Sequence, residues 1–115
     1  MIFVTGPLFA GKQRFICDML GWSEEEFCRK AVRDVQELAG NTQDLTELAD
    51  RLSGFDVVIA TEIGGGIVPL DPRERETRER AGRLACLLAE RAETVIRVCC
   101  GLPQILKGEL PCVSN

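Results

Sequence analysis

A chain of 115 residues, 45% of them apolar, bounds a single domain over 1–115 with one modest core. Its 18 acidic and 14 basic residues leave a net charge of −4, which argues against nonspecific nucleic-acid binding, and no apolar run approaches the length of a membrane span. There is no histidine, and none of the six cysteines forms a C-x-x-C pair, which excludes a zinc site of the usual spacing.

No basic and then apolar leader precedes the first strand, so the expectation is a cytoplasmic chain whose thiols are free and mostly core residues. Ile2, Phe3 and Val4 form a short apolar run that predicts a buried strand, ended by Gly6. Gly6, four residues, then Gly11 and Lys12 give the G-x-x-x-x-G-K spacing of a phosphate-binding loop. Phe15, Ile16, Met19 and Leu20 then share one helical face, and Gly21 closes the helix. Strand, glycine loop and helix start are the context such a loop requires. Curled backbone N–H groups, the helix N-terminus and the Lys12 ammonium together would cradle a polyphosphate. The candidate phosphate-binding residues are Gly6, Pro7, Leu8, Phe9, Ala10, Gly11, Lys12, Gln13 and Arg14. A glycine-flanked turn with a surface lysine is the alternative. The motif ordinarily ends in Ser or Thr, whose hydroxyl ligates Mg²⁺; here the residue is Gln13. Its amide oxygen can ligate a hard cation but is carried on a longer arm. The anion half of the motif is intact and the metal half is altered.

Ser23 followed by Glu26 is a capping-box pattern, so a second helix is predicted from Glu24. Residues 31–38 read either as its continuation or as a short strand over 31–35. Residues 41–43 read as a loop, and 44–52 as a helix with Leu45, Leu48, Ala49 and Leu52 on one face. Residues 56–61 are almost unbroken apolar chain, predicting a central parallel strand buried on both faces. Glu62, Ile63 and three glycines, Gly64, Gly65 and Gly66, follow at its carboxyl end, where open α/β sheets bind ligands. A tight turn without a ligand is the other reading. Pro72 can start a helix whose apolar face is Thr77, Ala81, Leu84, Leu88 and Ala92; its arginines and glutamates read mostly as a solvated surface. Residues 95–100 form the last strand, and the tail from Gln104 is expected to be loose. The order predicts an α/β fold, a small parallel sheet flanked by helices. Four strands with two edges to protect predict a homo-oligomer.

With these features in place, the chain resembles the adenosylcobinamide kinase / adenosylcobinamide-phosphate guanylyltransferase family of cobalamin biosynthesis. MIFVTGPLFAGK is similar to that family's opening strand and phosphate loop. VVIATEIGGGIVP, an arginine-rich helix containing ERAGRL, and AETVIRVCCGLP then follow its pattern without gaps over 57–103. The resemblance implies a P-loop NTPase-like fold that binds GTP or ATP. It implies phosphoryl transfer to a corrinoid alcohol, then guanylyl transfer through a histidine. Gly6, Gly11 and Lys12 would cradle the phosphates, and Glu62 would face the site. Gly64 and Gly66 match the glycines of the turn, and Arg75, Arg78 and Arg83 match family arginines, with Arg78 the candidate nucleotide contact. Asp34, at the end of Ala-Val-Arg-Asp, would serve as the second acidic motif if a short strand forms there; a solvent-facing helical Asp is the alternative. Catalysis would then rest on Lys12, Glu62 and Asp34, with Gln13 and Asp34 the candidate Mg²⁺ ligands in an incomplete shell. Three departures stand out. Most of the family's middle is absent together with its histidine, Gln13 replaces the hydroxyl residue, and Ala85 stands where the family has Asn. The expectation is a kinase-like protein without guanylyl transfer by the histidine route. Its partners would be a nucleoside triphosphate and a corrinoid small molecule, with no nucleic acid and no membrane. A non-catalytic nucleotide- or corrinoid-binding relative, and a kinase for an unrelated small substrate, remain the competing readings.

Overall fold

The computed structural model describes residues 1–63 and 71–110. The glycine turn with Gly64 and Gly66, and Cys112, lie outside the described residues. In chain order the elements are β1 (Ile2–Gly6), α1 (Lys12–Leu20), α2 (Glu24–Lys30), β2 (Ala31–Val32), a 3₁₀ segment (Val35–Asn41), α3 (Leu45–Leu52), β3 (Val57–Thr61), α4 (Pro72–Arg91), β4 (Thr94–Cys99) and β5 (Leu102–Lys107). They build a mixed five-stranded sheet in the order β2-β3-β1-β4-β5. β1 is central and parallel to both neighbours, with Val4 opposite Ile59 on one side and Ile96 on the other. β2 extends the parallel part, and β5 runs antiparallel to β4.

Helix ends fall where the side chains can satisfy them. Gly21 closes α1 in the left-handed conformation, its N–H donating to Cys17 O. Ser23 Oγ accepts from the Glu26 N–H at 3.2 Å. Asp44 caps α3 and Asp71 caps α4, accepting from the N–H groups of Glu47 and Arg73 at 3.1 and 2.9 Å. Every residue of β3 is buried, as its apolar run requires of a strand covered on both faces. One face of the sheet packs Val4, Ile59, Ile96 and Val98 against Ile16 of α1 and Phe27 of α2. The other packs Phe3, Val58 and Val95 against α3, the 3₁₀ segment and Leu84 and Leu88 of α4.

Four expectations need correction. The tail from Gln104 is not loose: β5 pairs with β4 from Leu102 to Lys107. Its residues are all exposed, so it carries no burial pattern and is held by backbone pairing. The hairpin turn is Cys100-Gly101, with φ of 55° and 73°, the two positive values of a type I′ turn. Second, the strand over 31–35 shrinks to Ala31–Val32, because Asp34 turns left-handed (φ 57°) and the chain enters the 3₁₀ segment, which takes in Asn41 from the expected loop. Third, none of the described thiols is fully buried, and only Cys17 packs against a core cluster. Cys28, Cys86, Cys99 and Cys100 are exposed, Cys17 is half-buried, and all five are free. Fourth, Thr77 is exposed, and Arg80 on the charged face of α4 is structural: its guanidinium donates to Ala39 O at 2.8 Å and to Thr42 O.

Candidate functional site

The carboxyl ends of the parallel strands gather the chemistry. β1 ends on Gly6, where a Cβ would collide with the Val98 carbonyl of β4. The chain can therefore leave the sheet here only through glycine. The segment 7–10 then loops out, with Phe9 left-handed (φ 59°) and its side chain 94% exposed. Gly11, also left-handed at φ 83°, is the N-cap of α1. Two backbone hydrogen bonds pin the loop. The Gly101 N–H donates to Ala10 O at 2.8 Å, and the Glu62 N–H donates to Gly6 O at 2.8 Å. The loop is thus tied to the β4–β5 turn on one side and to the end of β3 on the other.

Lys12 reaches back under this loop. Its Nζ donates to Pro7 O at 2.7 Å and to Gly6 O at 3.2 Å, and the residue is only 8% exposed. Burial pulls its pKa below the ordinary lysine value, while the charges of Asp34 and Glu62 work in the opposite direction. A cavity of about 260 Å³ opens beside it, lined by residues 8–14 of the loop and α1 together with Arg33, Asp34, Ile59 and Thr61. Asp34 Oδ1 accepts from Thr61 Oγ1 at 3.4 Å, and the Thr61 N–H donates to Gln36 Oε1 at 2.9 Å. Gln13 Oε1 accepts from Arg33 Nη1 at 2.7 Å.

A second cavity of about 140 Å³ adjoins the first through Thr61 and lies between β1, β3 and α4, with Glu62, Gln36, Gly82 and Ala85 in its lining. Glu62 is held there by Arg97, whose Nε and Nη2 donate to its two carboxylate oxygens at 2.6 and 2.9 Å. That forked hydrogen bond is the main cause of a Glu62 pKa below the usual glutamate range, with desolvation opposing it and the charges of Arg97 and Lys12 adding to it. Glu62 therefore stays an acceptor at neutral pH.

The structure brings together Leu8 to Arg14, Lys12 and Asp34 around one cavity and sets Glu62 on the adjoining one. Gly6 and Pro7 contribute the carbonyls that hold Lys12. Arg78 lies apart, half-buried on α4, lining a separate groove with Ile63 and Arg73. Gln13, read as a metal ligand, spends its amide oxygen on Arg33. Among the described residues no group of three His, Cys, Asp or Glu could hold a metal ion, and no helix is long and apolar enough to cross a membrane. The reading from sequence did not single out Arg33, Thr61, Gln36 or Arg97. For Arg97 a signal existed: a lone charge inside Val95-Ile96-Arg97-Val98 needs a partner when its neighbours are buried.

The family model described as cobinamide kinase / cobinamide phosphate guanyltransferase matches residues 10–106, from inside the loop to β5. The bifunctional adenosylcobalamin biosynthesis protein CobP of Pseudomonas aeruginosa is 40% identical over 76 residues. That match takes in 66% of this chain and 44% of CobP, so it covers less than half of the relative's length. With the family match covering residues 10–106, well over half of the 115, the chain belongs to the cobinamide kinase / cobinamide phosphate guanyltransferase family.

Proposed function

We propose that this chain is a P-loop nucleotide-binding protein of cobalamin biosynthesis, one domain over 1–115, that transfers a phosphoryl group from GTP or ATP to a cobinamide-type alcohol in the cytoplasm. The observation that carries the reading is Lys12, a buried ammonium held by loop carbonyls at the wall of an open cavity. A buried amine is costly unless something uses its charge. On binding, Lys12 Nζ exchanges the carbonyls of Gly6 and Pro7 for phosphate oxygens. The loop N–H groups and the start of α1 add their partial charges. In the transfer, the bond between the γ-phosphorus and its bridging oxygen breaks as the acceptor oxygen bonds to phosphorus, and Asp34 takes the acceptor's proton. Glu62, kept ionised by Arg97, orients the acceptor from the adjoining cavity. The 115 residues hold no histidine, so histidine-borne guanylyl transfer is not part of the proposal. Self-association is part of it, since the outer edge of β5 pairs with no strand among the described residues.

One observation favours a second reading, a non-catalytic nucleotide- or corrinoid-binding relative. The Gln13 amide oxygen, at the position of the motif's metal-ligating hydroxyl, is engaged by Arg33. Calorimetric titration with GTP and with ATP, followed by a phosphoryl-transfer assay with adenosylcobinamide, separates the two. Binding with turnover supports the kinase, and binding without turnover supports the relative. If neither nucleotide binds at millimolar concentration, or if Lys12→Ala binds as tightly as the parent, the cradle assignment falls.

A further inference from the structure

The loop motif ordinarily presents a hydroxyl to Mg²⁺ at the position after its lysine. In this chain the only side-chain acceptor at that position is Gln13 Oε1, and it lies 2.7 Å from Arg33 Nη1. A divalent ion placed there would have to displace a guanidinium and then sit beside its positive charge. Among the described residues, Asp34 is the one carboxylate lining the same cavity. One carboxylate next to an amide already engaged by a cation does not fit a Mg²⁺ site of the ordinary kind.

The same residues fit a polyanion well. Lys12, Arg14 and Arg33 line this cavity with Asp34; Arg14 also faces Asp18 at 3.9 Å, which leaves Lys12 and Arg33 as the cations that outweigh Asp34 in a chain whose net charge is −4. Lys12 stands at the start of α1 and Arg33 just past the end of β2, so the two cations reach the cavity from different elements. A guanidinium is always charged and offers five N–H donors in a fork that suits phosphate oxygens, and Gln13 takes one of them. Gln13 thus steers a cation instead of ligating one.

We infer that Arg33, positioned by Gln13, takes the place of the divalent cation, so that the cavity binds a nucleoside polyphosphate without Mg²⁺. The inference rests on the nucleotide-binding reading above. It is tested by calorimetry of GTP and ATP with the 115-residue chain, in excess EDTA and in saturating Mg²⁺. The dissociation constants in the two media should agree within about threefold. Arg33→Ala should weaken binding in EDTA by about tenfold or more with an unchanged melting temperature, since Arg33 is exposed. Gln13→Ser, which frees the guanidinium and restores a hydroxyl, should weaken binding in EDTA and regain it when Mg²⁺ is added. Loss of about tenfold or more in affinity when the parent chain is moved into EDTA overturns the inference and leaves the nucleotide reading standing. Unchanged affinity in Arg33→Ala does the same. Absence of binding in both media overturns the nucleotide reading, and this inference falls with it.

Discussion

Lys12 is expensive where it stands. Its burial lowers its pKa, so the folded state holds the charged amine less willingly than the unfolded chain does. The sign of the pH effect follows. Below the lowered pKa both states are protonated and the burial cost is fully present; it is relieved as pH rises through that value. Lys12→Met removes the charge and keeps most of the stem. Gly6 O retains the Glu62 N–H as a donor, and Pro7 is only half-buried, so neither carbonyl is left stranded. The variant should lose nucleotide affinity yet unfold at equal or higher denaturant, with a gain of up to about 1 kcal/mol near neutral pH that shrinks in alkali. Denaturant titrations at two pH values check both parts. Glu62 has the opposite sign. Its lowered pKa means that the pair with Arg97 stabilises the fold above the ordinary glutamate range and that this is lost as pH falls through the lowered value. Glu62→Gln should therefore be less stable than the parent at pH 7 and indistinguishable from it in strong acid. A constant difference across the titration would remove the pair from the account.

At the scale of elements, the β4–β5 hairpin carries a residue that its turn does not favour. Cys100 sits at φ 55° in the first turn position, where Asn, Asp or Gly is usual. Cys100→Asn should stabilise the chain by about 1 kcal/mol, which raises the melting temperature by about 4 °C. The same turn explains where sequence reading stopped. Asn-Gly would have announced a hairpin; Cys-Gly did not, and the wholly exposed β5 offered no alternation to find. Elements that end on local chemistry were legible. α1 stops at Gly21, α2 starts after Ser23, and α4 starts at Pro72, each as the cap residues require. β3 was legible from its unbroken apolar run. The 3₁₀ segment was not, because its position depends on Arg80 reaching across from α4 to Ala39 and Thr42, a contact 38 to 41 residues away in sequence. The site divides in the same way. Gly6, Gly11 and Lys12 follow from spacing on one strand and one helix. Arg33 beside Gln13 and Arg97 beside Glu62 are pairings between elements 20 and 35 residues apart, set by the order of the strands.

The whole molecule is a sheet with two separate half-cores, and only one of them carries the loop. Ile16 is fully buried on α1 within the cluster of Val4, Ile59 and Ile96; Leu88 is fully buried on α4 within the opposite cluster. Truncating either to Ala removes buried methylenes and leaves a cavity, at a cost of about 2–5 kcal/mol each. The two sites share no cluster, so the double variant should show the sum within about 0.5 kcal/mol. Against a total stability of about 5–15 kcal/mol, that brings the chain close to its unfolding threshold. Their effects on binding should differ. α1 begins at Lys12 and Gln13, so Ile16→Ala loosens the element that aims both at the cavity. Leu88 lines neither cavity and stands in the cluster on the opposite side of the sheet from α1. Nucleotide affinity should therefore fall in Ile16→Ala and stay within about twofold of the parent in Leu88→Ala, when both are measured at a temperature where each is folded. Equal losses in the two variants would mean that binding follows global stability, not the seating of α1 on the sheet.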